Sequence, residues 1–274
     1  MSTGLRRFIA GILITIAAGA LTLSAIALWT RGAIVKIEGA VALGETLVGS
    51  EPFRVALSEV MVTRMLDDAT PAVEQRRPQI IAATETVLAT DEFAGIMGAA
   101  FGQLHEDLLA EHRAELDVSR AHALIIEELS RRGMEAAVIA ELPPPSRLSR
   151  IVTLPDTLAS AASSGIESAD RASVVVPLIA LAALAGGLLI SPRRWRSLMA
   201  LGILTAFSAG ATLIGLVVMG FAVSHQTSDP AGQEAAGSAW SALVGGLRTQ
   251  LIILIAIGAA AAVGGFAVDR ARNP

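Results

Sequence analysis

Hydrophobic positions are concentrated in four long runs, at residues 8–29, 174–190, 198–223 and 251–268. An α-helix rises about 1.5 Å per residue, so roughly 20 apolar residues cross a hydrocarbon core about 30 Å thick. Each run is close to that length, and none of them contains a charged residue. The pattern therefore predicts an all-α membrane protein with four transmembrane helices.

The polar segments between the runs define the rest of the predicted organisation. A domain of mixed polar and apolar character separates the first two helices, and two short loops separate the others. The predicted boundaries are 1–30 for the N-terminal tail and first helix, 31–172 for the domain, 173–190 for the second helix, 191–197 for an Arg-rich loop, 198–223 for the third helix, 224–247 for a second loop, and 248–274 for the fourth helix and C-terminal tail.

Arginines indicate which side of the membrane each segment occupies. They precede the first run, lie in the 191–197 loop and follow the fourth run, whereas the 224–247 loop has none. Arg-rich short loops stay in the cytoplasm. We therefore expect both termini in the cytoplasm of a multi-pass cell-membrane protein, and the 31–172 domain and 224–247 loop outside. Trp29, Trp195 and Trp240 fall at predicted membrane boundaries, where indole rings are favoured.

The first run has an alternative reading as a cleavable signal peptide. Ala25, Ile26 and Ala27 offer a small-residue cleavage site. A secretory hydrophobic region is usually about 7–15 residues long, which is shorter than this run. The length favours a retained anchor, and both readings send the 31–172 domain across the membrane.

Cap and proline signals predict that the 31–172 domain is a small helical bundle. Ser50 followed by Pro52 predicts a helix to about Ala69, and Thr70 before Pro71 opens a second helix. Pro78 is expected to kink or split that second helix. Thr90 or Asp91 opens a third helix, and Ser119 caps a fourth that stops before Gly133. The third helix carries an apolar stripe of Phe93, Met97, Ala100 or Phe101, Leu104 and Leu108 at helical spacing.

The end of the domain is expected to lead directly into the membrane. Residues 143–145 are three prolines, which predict an extended connector. Residues 150–154 are a single weak strand candidate. A helix from about Asp156 to Ile190 would join the domain to the second span, with Pro177 inside it. That proline removes one backbone hydrogen bond and predicts a kink, which is either static or a hinge.

Composition excludes several kinds of chemistry. The chain has no cysteine, which rules out disulfides, zinc–thiolate sites, iron–sulfur clusters and cysteine nucleophiles. The net charge of −4 offers no broad basic surface for nucleic acid. No phosphate-binding loop, dinucleotide fingerprint or hydrolase nucleophile elbow is present.

His105 and His112 form a sequence that superficially resembles a zinc-protease helix. The zinc motif places its two histidines four residues apart on one helical face. These two are seven apart, about 10 Å along a helix, which is too far to ligate one ion. A bridged surface metal with His122 is the weaker alternative to solvated or hydrogen-bonded histidines.

The four runs show no polar pathway of the kind that transport requires. No ionisable residue lies in their central portions, and the hydroxyls of Thr15, Thr205, Ser208 and Thr212 commonly bond back to their own helix. Small residues stand four apart at Ala182 and Gly186, Ala206 and Gly210, and Ala211 and Gly215. The fourth run contains Gly258, a stretch of alanines and Gly264-Gly265. These small residues predict close helix packing within the chain, with self-association as the weaker alternative.

Several of these pieces together resemble a known group. They are Val87-Leu88, Asp91-Glu92-Phe93, Phe101, His105, Leu154-Pro155-Asp156 and Arg193-Arg194. In this respect the chain is similar to uncharacterised actinobacterial four-span integral membrane proteins with a helical extracytoplasmic domain. The resemblance implies the fold and topology. It implies no activity, because none is assigned to that group.

We therefore expect a non-catalytic membrane protein whose outer domain is an interaction or scaffolding module in a cell-envelope assembly. The alternative is an accessory subunit of a transporter or channel. Expected partners are the lipid bilayer and other envelope proteins. No catalytic, cofactor-binding or metal-binding residues are predicted, and neither a cofactor nor nucleic acid is expected.

Overall fold

The structure, a computed structural model, describes residues 3–67, 69–111, 115–148, 152–153, 156–191, 193–225 and 230–272. About 89% of the described residues are helical, in agreement with the predicted all-α class. The α-helices are α1 (Thr3–Thr30), α2 (Ile37–Val48), α3 (Glu51–Leu66), α4 (Pro71–Glu74), α5 (Arg77–Leu88), α6 (Asp91–Glu111), α7 (Ala121–Arg131), α8 (Ala136–Ala140), α9 (Asp156–Ile190), α10 (Arg194–Ser224) and α11 (Pro230–Arg272).

Four of the described helical segments are long and apolar enough to cross a membrane. They are Gly4–Val35, Ser163–Ile190, Arg194–Ser224 and Gly232–Arg272. The first includes a turn of π-helix at Arg31–Val35 that continues α1. These segments contain the four predicted runs, and the prediction of four potential membrane-spanning helices is confirmed.

The second and fourth of these helices extend well beyond the apolar runs. Helix α9 is continuous from Asp156 to Ile190 with Pro177 inside it, as predicted. Helix α11 begins at Pro230, so the prediction of a loop over 224–247 is wrong from that residue onward. Proline suits the first turn of a helix because its missing N–H has no partner there. The alanine-rich sequence from 231 to 272 contains no further proline that would interrupt the helix.

The chain divides into two compact units. The first comprises Met1–Gly32, Glu167–Met219 and Val244–Pro274, and the second comprises Ala33–Ile166 and Gly220–Leu243. The second unit contains most of the predicted 31–172 domain together with residues from the α10 and α11 ends.

The first unit has small buried clusters and a large exposed apolar surface. One cluster contains Ile14, Ala17 and Leu201, and a second contains Ala209 and Leu251. Many large apolar side chains point outward instead, among them Phe207, which is 76% exposed. An exposed apolar surface of this extent is typical of contact with lipid.

The second unit has its own hydrophobic core. Helix α2 packs along α6, α3 packs on α5, and α5 packs on α7. Met61, Ile80, Leu88, Phe93 and Ile125 are among its fully buried side chains. The predicted stripe on α6 is confirmed from Phe93 to Leu104, because Phe93, Met97 and Ala100 are buried while Phe101 and Leu104 pack against the core. Leu108, its last predicted member, is half-buried and lies outside this core cluster.

Two predicted helix ends are confirmed by their hydrogen bonds, and one is wrong. The Phe93 amide donates to Thr90 Oγ1 at 3.2 Å, which caps α6. Gly133 has φ of +80° and follows α7, and the Met134 amide reaches back to the Leu129 carbonyl at 3.1 Å. Ser119 does not cap α7. Its amide donates to Asp117 Oδ1 at 2.8 Å in a turn, and the helix begins at Ala121.

Proline positions explain how the helices are divided. Pro71 and Pro78 occupy the first turns of α4 and α5, so Pro78 splits the predicted helix and does not merely kink it. Pro145 begins a 3-10 turn to Leu148 in place of the expected extended connector. The strand candidate is confirmed for Val152–Thr153, which pairs antiparallel with Glu115–Leu116. The other three residues of that candidate lie outside the described part of the chain.

Helix α2 was not predicted, and it packs closely against α6. A Cβ built on Gly44 would lie 2.7 Å from the Met97 carbonyl oxygen of α6. On the facing helix, a Cβ on Gly98 would lie 3.2 Å from a methyl of Val41. Glycine on both helices therefore allows the two backbones to approach each other.

Candidate functional site

A polar cavity of about 540 Å³ opens on the exposed side of α6. Ile96, Ala99 and Gln103 contribute from α6 at spacings of three and four residues, which place them on one helical face. Residues between 115 and 120, which precede α7, form the opposite wall. The polar lining residues are Gln103, Asp107, Glu115, Asp117, Ser119 and Arg120.

Hydrogen bonds fix two of the polar side chains that line this cavity. Gln103 Nε2 donates to Asp107 Oδ1 at 2.8 Å, one helical turn away. Asp117 Oδ1 accepts the Ser119 amide at 2.8 Å, which holds the turn before α7. The carboxylates of Asp107 and Asp117 are therefore held in place before any partner binds.

Among the described residues that line this cavity, the carboxylates of Asp107, Glu115 and Asp117 outnumber the guanidinium of Arg120. Carboxylate oxygens accept hydrogen bonds from cationic groups. The small side chains of Ala99 and Ala100 leave an apolar surface beside them. Such a cavity suits the end of a lysine or arginine side chain together with its methylene stem. Among the described residues, no group of three His, Asp or Glu side chains could hold a metal ion.

A second charged cluster joins α7 to α5. Glu128 is buried, and it accepts Arg131 Nη1 at 2.7 Å and Arg132 Nε at 2.8 Å. Arg132 also donates to Thr86 Oγ1 of α5 at 2.6 Å. The hydrogen bond from Arg132 holds the pKa of the Glu128 carboxyl below its usual value of 4.5, with burial opposing and the charges of both arginines assisting. Because every member is paired within the fold, this cluster has a structural role.

The histidines considered for a metal site have other surroundings. His105 is buried on α6. His122 Nε2 lies 2.9 Å from the Pro143 carbonyl oxygen, which can only accept, so that nitrogen carries a proton and is not free to ligate. His112 lies outside the described residues.

The hydroxyl groups of the long apolar helices mostly bond to their own backbone. Thr15 Oγ1 donates to the Gly11 carbonyl at 3.1 Å, and Thr212 Oγ1 donates to the Ser208 carbonyl at 3.0 Å. These two predicted contacts are confirmed. Thr205 is different, because its buried Oγ1 has no hydrogen-bond partner among the described residues.

The close helix packing predicted at small residues is confirmed at Gly258 and Gly265 but not at Gly210 and Gly215. A Cβ on Gly210 or Gly215 would meet no atom within 4 Å, so those positions carry no tight contact within the described chain. Gly202 of α10 and Gly258 of α11 do, as does Gly265 against the Trp195 carbonyl oxygen at 2.8 Å from a built Cβ. Gly186 makes an ordinary contact with Leu13.

No protein-family model, curated protein or solved structure matches this chain.

Proposed function

We propose that this chain is a non-catalytic multi-pass membrane protein whose outer domain docks a basic segment of another cell-envelope protein. The α6 cavity carries the proposal: it is negatively charged, preorganised and about 540 Å³ in volume. That volume lies within the roughly 300–1,000 Å³ range of pockets that hold small ligands or side chains.

The support around the cavity favours binding of a partner. Its α6 wall lies on a helix whose adjacent face is held in the core by Phe93 and Met97. Binding groups on a rigid helix lose little conformational entropy when a partner docks. An interaction module needs both features, a stable scaffold and charged groups that are already oriented.

The expected orientation places this domain where an envelope partner would meet it. Arginines follow the end of α9 and lie in the last turn of α11, whereas the 224–247 segment contains none. Positive residues stay in the cytoplasm, so the domain between the first two spans lies outside in this proposal.

Site-specific photo-crosslinking tests the docking surface in the full-length protein. The chain has no cysteine, so Gln103→Cys carries a single benzophenone at the cavity. Glu92→Cys, exposed at the start of the same helix and outside the cavity, is the matched control. We expect a discrete adduct in intact membranes from position 103 and none from position 92.

The dependence of crosslinking on the cavity charges then distinguishes a specifically bound partner from a protein that collides at random. Adding Asp107→Asn and Asp117→Asn to Gln103→Cys should abolish the adduct while the protein remains in the membrane. Adding Asp91→Asn and Glu92→Gln removes the same charge outside the cavity and should leave the adduct unchanged. Equal adducts from positions 103 and 92, or an adduct indifferent to the cavity carboxylates, would contradict the proposal.

A further inference from the structure

A second cavity, of about 400 Å³, lies within the first unit at the arginine-bearing ends of its helices. Helix α1, the turn after α9, and the first turns of α10 line it. Arg7, Arg193 and Arg196 contribute cationic groups, while Ile14 and Leu204 form part of an apolar wall. The cavity is therefore divided into a charged part and a hydrocarbon part.

The charged part has an excess of two positive charges. Arg196 Nε donates to Asp269 Oδ2 of α11 at 3.0 Å, so its charge is balanced. Within the described part of the chain, neither Arg7 nor Arg193 takes part in an ion pair. Both side chains are exposed and lie in the wall of the same cavity.

The polar floor of the cavity is fixed by hydroxyl groups. Ser191 and Ser197 are joined by a 2.6 Å hydrogen bond between their hydroxyl oxygens. The Arg193 amide donates to Ser191 Oγ at 3.3 Å. These bonds close the turn between α9 and α10, and they hold the backbone of Arg193 beside the cavity.

We propose that this cavity binds the phosphate and glycerol region of an anionic phospholipid. The phosphodiester would accept hydrogen bonds from Arg7 and Arg193, whose planar guanidinium groups suit phosphate oxygens. The first acyl methylenes would lie against Ile14 and Leu204. The cavity lies at the ends of apolar helices, next to their arginines. This position corresponds to the depth of lipid headgroups in a bilayer.

The unbalanced charge favours an anionic lipid over a zwitterionic one. A choline headgroup would bring its own cation next to Arg7 and Arg193, and the two positive charges would repel it. A glycerol headgroup adds no cation. The apolar wall favours a lipid over free phosphate, because inorganic phosphate would leave Ile14 and Leu204 facing water. This assignment is independent of the docking role proposed for the α6 cavity.

Native mass spectrometry of the full-length protein is the test. The protein is released from bilayers that contain equal parts of phosphatidylglycerol and phosphatidylcholine, and the retained lipids are counted. We expect preferential retention of phosphatidylglycerol. The Arg7→Gln/Arg193→Gln variant should weaken that binding by roughly thirtyfold, at about 1 kcal/mol for each arginine. Arg194→Gln/Arg270→Gln, which removes the same charge outside the cavity, should retain the lipid.

A steric variant tests the site without changing any charge. A Cβ on Gly11 would meet no atom within 4 Å, and Gly11 lines the cavity, so Gly11→Leu fills the space that the lipid would occupy. It should lose phosphatidylglycerol while remaining folded. Gly19→Leu, on the same helix and equally free of close neighbours, is the control and should retain it.

Three results would overturn the proposal. They are equal retention of phosphatidylglycerol by Gly11→Leu and Gly19→Leu, equal loss from the two double-arginine variants, and displacement of the lipid by excess inorganic phosphate. The last result would show that the site recognises phosphate alone.

Discussion

Gly202 of α10 and Gly258 of α11 face each other with no side chain between them. A Cβ built on Gly258 would lie 2.7 Å from the Gly202 carbonyl oxygen, and one built on Gly202 would lie 2.7 Å from the Ala262 amide nitrogen. Each clash involves backbone atoms, which cannot rotate away as a side chain can. The two helices therefore depend on glycine at both positions for their close approach.

Substitution at this crossing should destabilise the protein more than substitution elsewhere on the same helix. Gly202→Ala forces α10 and α11 apart, and we expect a loss on the order of 1–3 kcal/mol. Gly210→Ala is the control, because its Cβ would meet nothing within 4 Å. Thermal unfolding of the full chain in detergent micelles, followed by circular dichroism, compares them. Equal midpoints would show that the crossing is not tight.

Glu128 should make stability depend on pH in the acid range. Arg132 lowers the pKa of this carboxyl from its usual value of 4.5 in the folded protein. The stabilisation is therefore complete above the unfolded pKa and is lost as pH falls from about 5 through the lowered value. Glu128→Gln should lower the urea midpoint at neutral pH and flatten its decline toward acid.

The neighbouring residue supplies the control for that experiment. Glu127 also pairs with Arg131, at 3.2 Å, but its side chain is 68% exposed. Exposed pairs contribute little because water screens them. Glu127→Gln should leave the neutral midpoint and the acid slope nearly unchanged. An acid slope that is identical in the wild type and Glu128→Gln would refute the assignment.

Thr84 should be replaceable with a gain in stability. Its side chain is fully buried in α5, and its Oγ1 has no hydrogen-bond partner among the described residues. Thr84→Val keeps the shape and removes the unsatisfied hydroxyl, and we expect stabilisation of about 1 kcal/mol. Thr86→Val, two residues away, removes the acceptor of Arg132 and should not stabilise. A lower unfolding midpoint for Thr84→Val than for the wild type would contradict this prediction, because it would show that the Thr84 hydroxyl has a hydrogen-bond partner.

Cysteine labelling tests the orientation in the membrane. Exposed positions in a cysteine-free chain give an unambiguous map, and Glu59→Cys, Arg194→Cys and Ala271→Cys are all exposed. An impermeant maleimide should label position 59 in intact cells, and positions 194 and 271 only after permeabilisation. Labelling of Arg194→Cys in intact cells would show that the true topology is the reverse of the proposed one.

The parts of the fold that could be predicted are those whose determinants lie close together in the chain. A run of about 20 apolar residues has few stable alternatives to a long helix that lipid or protein covers. Thr90 and the apolar stripe behind it similarly fix the start and the buried face of α6. Gly133 ends α7 because it can adopt a positive φ.

The parts that could not be predicted depend on contacts between distant segments. Helix α2 contains Gly39 and Gly44, which weaken an isolated helix, and its stability comes from packing on α6. Gly202 of α10 could not be distinguished from Gly210 and Gly215 by its spacing, because the rotation of each helix decides which residues face a neighbour.

Neither cavity was predicted, and the reason is the same: each cavity depends on how separate segments of the chain are placed. Arg7 and Arg196 line one cavity from widely separated parts of the sequence. Asp107 of α6 and Asp117 before α7 line the other, and the sequence pattern does not specify how those two segments are placed. In the sequence pattern the arginines indicate orientation only.

The length of α11 has a mechanical consequence. Its 43 residues extend about 64 Å, and even a tilt of about 40° would leave a rise of roughly 49 Å, well above a hydrocarbon core of about 30 Å. Tilting alone therefore cannot immerse the whole helix. The 20 residues between Arg248 and Asp269 match the core, which places Arg248 at the water boundary. The residues of α11 before Arg248 then form a rigid helix about 27 Å long outside the hydrocarbon core. The distance that this helix extends from the bilayer is set by its rise per residue, whereas a flexible loop would leave that distance variable.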